Sequence, residues 1–267
     1  MINSDELEQL MCEVNSISHQ AGEIILEYYN ATYEVNIKED QSPVTSADLA
    51  ANQFIEQQLQ KLTPDIPRIS EESQQYSYEE RKHWPYFWLI DPLDGTRQFI
   101  KNKPDFTVNI ALIHQQRPIL GSIYLPVEEH LYYAHNDGKA YKKIRDEDSQ
   151  VINASVSVPE NCRVCSNQKN HSEAMRKFFA KLDSYQLITR GSSIKSCLVA
   201  EGLADIYPRF GPTWEWDTAA AQCIVEQAGG AITTLNQTPL CYNKPSLLNP
   251  AFMAVGDPLN NWSDYLN

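Results

Sequence analysis

The stretch Trp88-Leu-Ile-Asp91-Pro-Leu-Asp94-Gly-Thr96 decides how this chain is read. Tyr86 to Ile90 form a short apolar and aromatic run bounded by turn formers, which predicts a buried strand ending at Asp91. Pro92 removes one backbone N–H and holds Asp91 extended. Gly95 permits a tight turn, and Thr96 is placed to cap a short helix, Arg97-Gln-Phe-Ile100. Asp91 and Asp94 are then able to converge at a sheet end, beside a helix N-terminus whose N–H groups suit an anion. A lone DxxD also makes an ordinary turn and cap. The calcium-loop pattern is excluded, because its third position is Leu93 here, where an Asp or Asn is needed.

Two further acidic positions share this character. Ile69-Ser-Glu71-Glu72-Ser73 sets carboxylates just past a short strand, and Trp214-Glu-Trp216-Asp217 sets one at a helix start. Asp217 as an N-cap has a structural role worth about 1 kcal/mol, and Glu71 alone reads as surface. If the chain brings them together, like charges about 4 Å apart repel by roughly 4 kcal/mol at an effective dielectric near 20. Such a cluster either protonates or takes cations, and oxygen-only ligation suits Mg²⁺ or Mn²⁺ rather than zinc.

Residues 5–30 carry Leu7, Met11, Val14, Ile17, Ala21 and Ile25 at helical spacing, and Ser46-Ala-Asp48 opens a second helix that Thr63-Pro64 ends. The polar stretch 34–44 between them reads as loop. Strands are predicted over 68–70, 86–90, 106–113 and 120–124, with a hairpin through Asn136-Asp-Gly138. The charged segment Lys142–Gln150 is read as the connection between two lobes. Beyond it, strand and helix alternate: strand 164–166, helices 172–182 and 192–201, strand 204–207, helix 218–228 stopped by Gly229-Gly230, strand 231–234. This divides the chain into an α+β N-terminal lobe, 1–150, and an α/β C-terminal lobe, 151–267.

The chain has 267 residues, 42% hydrophobic and 21% charged, with a net charge of −13. That balance argues against broad nucleic-acid binding and repels any anionic substrate unless cations are placed locally. The start, MINSDELEQL, lacks the apolar core of a signal peptide, and no run approaches the roughly 20 apolar residues of a membrane span. A cytoplasmic protein is expected, either free or peripheral at the inner face of the membrane. The six cysteines are expected reduced. Cys162-Arg-Val-Cys165 has zinc-like spacing, but in a strand the two side chains face opposite ways and no second pair completes a site.

Gly191-Ser192-Ser193-Ile-Lys195 opens a helix, offering N–H groups, hydroxyls and an ammonium to one anion. Its SxxK spacing matches the serine β-lactamases, whose SDN and KTG partners are absent. Arg209, at a strand end, suits bidentate phosphate binding.

Taken together, Glu71-Glu72, WLIDPLDGTRQF, WEWDTAAAQCIVEQAGG and SPVTSAD at 42–48 resemble the signature motifs of the inositol monophosphatase superfamily over roughly residues 40–235. The resemblance implies a layered αβαβα sandwich and two or three Mg²⁺ ions. The N-terminal lobe would carry most of their ligands and the C-terminal lobe the last one. Glu71, Asp91, the Leu93 carbonyl, Asp94 and Asp217 would bind the metals, Asp48 joining Glu71 at a third ion. Thr96, helped by Asp48 or Glu71, would activate the water, and Gly95-Thr96 would hold the phosphate. GSSIK and LVAEGLADIYPRFGPTWEWD resemble the 3′(2′),5′-bisphosphate nucleotidases, particularly the bacterial CysQ type. That likeness implies a lithium-sensitive hydrolase of sulfur metabolism acting on a small-molecule nucleotide bisphosphate. Ser192, Ser193, Lys195, Arg209 and Asp217 would bind the substrate. An inositol or sugar phosphate monophosphatase is the alternative, and a metal or nucleotide sensor without catalysis a third. The base contact falls on Lys169 or His171, and Trp214 and Trp216 either stack on a base or pack in the core. Oligomeric state is left open.

Overall fold

The apolar residues at helical spacing near the N-terminus become the buried face of helix α1 (Ser4–Tyr29) in the computed structural model. The structure describes residues 2–31, 34–37, 43–73, 75–136, 138–156, 160–167, 172–260 and 262–265. Asn3 caps α1 by accepting from the Glu6 N–H at 3.0 Å, while the Glu6 carboxylate accepts from the Asn3 N–H at 2.8 Å. Strands β1 (Val35–Ile37) and β2 (Pro43–Thr45) follow as an antiparallel pair, where polarity alone suggested loop. Helix α2 (Ser46–Leu62) ends at Thr63, just ahead of Pro64.

Next come β3 (Arg68–Ser70), α3 (Tyr78–Arg81), β4 (Tyr86–Asp94), α4 (Thr96–Ile100), β5 (Thr107–His114), β6 (Arg117–Leu125), β7 (His130–His135), β8 (Ala140–Ile144) and β9 (Gln150–Ile152). These strands form a seven-stranded sheet in sequence order, β3 pairing parallel to β4 and the rest antiparallel. The expected connection at Lys142–Gln150 is instead the β8–β9 hairpin, with Lys142 paired to Gln150, so this sheet runs on to Ile152.

The remainder is β10 (Cys162–Ser166), α5 (Glu173–Phe179), β11 (Tyr185–Thr189), α6 (Ile194–Ala200), β12 (Ile206–Arg209), α7 (Glu215–Gln227), β13 (Ala231–Thr234), β14 (Phe252–Val255) and a 3-10 turn, Trp262–Tyr265. Its five strands are ordered β11-β10-β12-β14-β13. Strands β11 and β14 were not anticipated. Helices α5, α6 and α7 were, although α7 starts three residues earlier than the sequence suggested.

Strand alternation builds the layers. Trp88 and Ile90 of β4 join a core with α1 and α2, whereas Phe87 and Leu89 point into a second core with α6 and α7. That second core is closed by Phe252 and Ala254 of β14, while Met253 and Val255 face α5 and the 3-10 turn. The stack is helices, sheet, helices, sheet, helix: an αβαβα sandwich. Cys162 and Cys165 fall into different cores, free and buried, and burial pushes both thiols up to about 12. They pack as small apolar groups.

Helix α7 lies on a lane of small residues across the first sheet: Ala111, Gly121 and Ala134 are successive cross-strand partners. A Cβ on Gly121 would stand 2.4 Å from the Ala220 carbonyl oxygen and 2.9 Å from its Cα. Backbone cannot move aside as a side chain can. Gly121→Ala is therefore expected to destabilise by about 3 kcal/mol or more, the upper end for overpacking. A lowered urea midpoint at unchanged slope is the measurement.

Candidate active site

Strand β4 does not stop at Asp91 as the sequence suggested; it continues to Asp94 through a bulge. Asp91 pairs with Asn109 and Asp94 with Thr107, so three steps on β4 match two on β5. In a regular strand residues three apart face opposite sides, and the extra residue restores both aspartates to one face. Pro92 and Leu93 form the bulge, and the Leu93 N–H bonds back to Asp91 Oδ1 at 3.1 Å. Gly95 then takes φ +102°, and a Cβ there would sit 2.8 Å from the Asp105 carbonyl oxygen. Gly95, not Thr96, occupies the cap position of α4, because only the glycine takes the left-handed turn readily.

Thr96 is free for another task. Its hydroxyl donates to Asp48 Oδ1 at 3.0 Å and approaches the Leu93 carbonyl at 3.3 Å. Asp48 Oδ2 accepts from the Thr45 N–H at 2.8 Å and the Thr45 hydroxyl at 2.5 Å, fixing the carboxylate in the first turn of α2. Burial raises the Asp48 pKa, and the bonds from Thr45 and Thr96 pull it back.

Glu71 follows β3, held by its N–H on the Ile90 carbonyl at 3.1 Å. Asp217 is not the N-cap of α7 but sits in its first turn, its Oδ2 accepting from the Trp214 N–H at 2.8 Å. Carboxylate oxygens of Glu71, Asp91 and Asp217 come within 4.8 Å of one another. Burial pushes Asp91 well above the usual carboxylate range, and Glu71, Asp94, Asp217 and Asp48 push it further. Asp217 is raised by burial and then by Asp94 and Glu71. An all-oxygen set whose members repel one another fits a hard divalent cation.

These groups line one end of a cavity of about 350 Å³, with Leu93, Asp94, Gly95, Thr96, Ser192, Ser193, Lys195 and Arg209 also on its wall. Asp48 stands behind Thr96. Lys195 is 1% exposed, its ammonium donating to the Ser192 carbonyl and lying 4.9 Å from the Tyr207 ring centre. Burial brings its pKa down to about 8 against the opposing pull of Asp94. Arg209 donates to the Pro212 carbonyl at 3.0 Å, and its buried Nε has no partner among the described residues.

The expected helix at Ser192 begins at Ile194 instead, since Ser192 takes φ +42° and breaks the turn. The N–H and hydroxyl of Ser193 both bind Asp94 Oδ2, at 2.7 and 2.8 Å, and are not open to a substrate anion. The Ser192 hydroxyl is buried without a partner among the described residues. Trp216 packs at 6% exposure, while Trp214, stacked on it at 5.3 Å, stays 39% exposed on the cavity wall. Lys169 and His171 lie outside the described residues. Sequence reading missed Asn109, although an Asn within the apolar run TVNIALI is the buried polar group that asks for an explanation. It also missed Asp105, which accepts from the Gly191 N–H at 2.7 Å and Arg190 Nε at 2.9 Å and so anchors the loop before Ser192.

Residues 6–260 match the model of the inositol monophosphatase family. The chain belongs to that family, whose members are metal-dependent phosphatases. It is 38% identical over 257 residues to the 3′(2′),5′-bisphosphate nucleotidase CysQ of Haemophilus influenzae, covering 96% of each chain. With the protein of the same description from Escherichia coli K12 it shares 41% over 247 residues, 91% of this chain and 98% of that one. Among solved structures, CysQ of Bacteroides thetaiotaomicron superposes with a TM-score of 0.82 at 36% identity, over 95% of this chain and 99% of that one.

Because the clustered carboxylates repel one another, a cation that binds the folded state should raise the melting temperature. At a hundred times the dissociation constant the gain is about 2.7 kcal/mol, on the order of 5–10 °C for a chain of this size. The raised carboxylates keep protons in the fold where the unfolded chain has lost them. In EDTA, stability therefore falls as pH rises from the ordinary carboxylate value through the raised ones. Protons and Mg²⁺ compete, so the Mg²⁺ increment should shrink between about pH 8 and about pH 5. Melting curves in Mg²⁺ and in EDTA across that range check both.

Proposed function

We propose that this cavity hydrolyses the 3′-phosphate of 3′-phosphoadenosine 5′-phosphate, releasing AMP and phosphate, with two or three Mg²⁺ ions as cofactor. The observation that carries the reading is that one cavity is lined both by four carboxylates, Glu71, Asp91, Asp94 and Asp217, and by two cations, Lys195 and Arg209. A monophosphate needs only the first; a second phosphate gives the second its use. The relatives described as bisphosphate nucleotidases support the same substrate class.

Glu71, Asp91, the Leu93 carbonyl, Asp94 and Asp217 would hold the metals, with Asp48 near a third. When bound, a divalent cation polarises the phosphoryl oxygens and makes a nearby water more acidic. The Thr96 hydroxyl donates to Asp48, so its lone pairs face away from that bond and accept a proton from the attacking water. As that proton arrives, the hydroxyl passes its own to Asp48, whose raised pKa suits the task. The new P–O bond forms as the bond to the ribose oxygen breaks, and that oxygen takes a proton from solvent. Gly95 and Thr96 hold the reacting phosphate, and Ser192, Lys195 and Arg209 the other. Trp214, exposed on the cavity wall, gives the aromatic face on which a base rests. No helix among the described residues is long and apolar enough to cross a membrane, which accords with a cytoplasmic enzyme acting on a small molecule.

The test compares phosphate release, with Mg²⁺, from phosphoadenosine phosphate and from inositol monophosphate. Preference for the nucleotide is expected; equal rates, or preference for the inositol ester, would overturn the reading. Arg209→Glu should separate the two ends of the cavity. Losing a charge-assisted pair is worth roughly 1.5–3 kcal/mol, about ten- to hundredfold in kcat/KM for the bisphosphate, and the added repulsion deepens the loss. A monophosphate should lose much less, its loss coming only through the effect of the Arg209 charge on Asp217. Equal losses on both would make Arg209 structural.

A further inference from the structure

Asp94 stands at the end of the β4 bulge, close enough to Asp91 and Asp217 for its charge to push both upward. A part-exposed carboxylate so placed is repelled by its neighbours and would turn outward into water. Two short bonds from Ser193 hold it in, and Asn109 braces the hydroxyl that makes one of them. The Ser193 N–H and hydroxyl both end on its Oδ2, and Asn109 Nδ2 lies 3.5 Å from the same oxygen. Asn109 Nδ2 also donates to Ser193 Oγ at 2.9 Å. That fixes the direction of the hydroxyl proton. With one lone pair taken by Asn109, the Ser193 proton goes either to Asp94 at 2.8 Å or to the Asp217 carbonyl at 3.1 Å. The shorter bond to a charged acceptor is preferred. The chain of bonds therefore runs from Asn109 N–H through Ser193 O–H to the Asp94 carboxylate.

Ser193 and Asn109 are both deeply buried, at 5% and 1% exposure, and they come from different elements, the start of α6 and strand β5. Asn109 is on β5, directly across from Asp91, and Ser193 follows the left-handed turn at Ser192 that sends its N–H back toward Asp94. Resting on the reading of Asp94 as a metal ligand, we propose that Ser193 and Asn109 are positioning residues for it. They saturate Oδ2, leave Oδ1 to the cation, and hold the carboxylate among like charges before any cation arrives. Ser193 then serves the metal ligands, and only Ser192, and Lys195 in the first turn of α6, serve the substrate.

The experiment titrates Mn²⁺ against Ser193→Ala, Asn109→Ala and the double variant without nucleotide, following the rise in melting temperature and the heat of binding. Melting in EDTA reports the fold separately. Ser193→Ala should raise the half-saturating Mn²⁺ by about tenfold, the lower end for an outer-shell change because its N–H remains. Asn109→Ala should raise it less. The double variant should match Ser193→Ala, since Asn109 acts through the hydroxyl that the first change removes. Ser193→Thr should restore the wild-type titration. Unchanged half-saturation in Ser193→Ala, or effects that add in the double variant, would overturn the relay. Asn109→Ala keeps both Ser193 donors and carries the test alone if Ser193→Ala does not fold: a raised half-saturation supports the relay, and an unchanged one overturns it. Failure of wild type to release phosphate from the bisphosphate nucleotide would sink the proposed activity and leave this metal titration standing.

Discussion

The Ala220 carbonyl lies where a side chain on Gly121 would have to stand, so α7 rests directly on the backbone of β6. Helices that pack through large side chains keep their axes well apart, and here the small residues of both elements remove that spacing. The approach matters because the first turn of α7 carries Asp217. Seated this low, it meets carboxylates from the end of β4 and the turn after β3. Buried Glu215, beside it, fixes the helix start by accepting from the Lys244 ammonium at 2.6 Å and the Asn243 N–H at 2.7 Å. A buried carboxylate paired in this way cannot be stripped of its partner cheaply, so the loop at 241–249 and the helix start move together or not at all.

The acidic end of the cavity is an assembly of misfits. Four of the carboxylates are held by donors of their own: Asp48 by Thr45 and Thr96, Asp91 by the Leu93 N–H, Asp94 by Ser193, Asp217 by the Trp214 N–H. Several of these are backbone groups fixed by secondary structure. The energy that opposes repulsion is thus drawn from the fold, and the arrangement exists before a cation binds.

Much of this was legible in the sequence, and the gaps have physical causes. Periodicity exposed α1, α2 and α7 because long helices repeat their pattern several times. It missed β14, whose four buried residues FMAV carry no alternation, and β11, whose residues are largely exposed at a sheet edge. Asp91, Asp94 and Asp217 could be named because acidic residues in apolar surroundings are costly without a purpose. Pro92 and Gly95 pointed to their convergence but not to its cause, because Asp91 and Asp94 have the same three-residue spacing as Cys162 and Cys165. The cysteines face opposite cores and the aspartates one cavity, and a bulge makes the difference. Nor does a sequence show which hydroxyl is spent internally. Ser192 and Ser193 look alike on paper, and a backbone turn at the first commits the second to Asp94.

The electrostatics of the cavity follow from this inventory. A chain with net charge −13 repels a nucleotide bisphosphate at long range, and Lys195 and Arg209 offset only part of the four carboxylates beside them. Lys195 is itself weakened as a cation by burial, although Asp94 draws it back toward the charged form. Arg209 does the reverse, lowering both the Asp217 and Lys195 pKa values through its charge. Lys195 is thus kept charged in part by Asp94, one of the clustered carboxylates. A divalent ion among the carboxylates would relieve their repulsion and, together with Lys195 and Arg209, cancel the four negative charges that an incoming phosphate meets. On the proposed reading, cation and substrate affinity would be linked, each strengthening the other by the same factor, and the acidity that repels an anion in the metal-free protein would become the means of binding it.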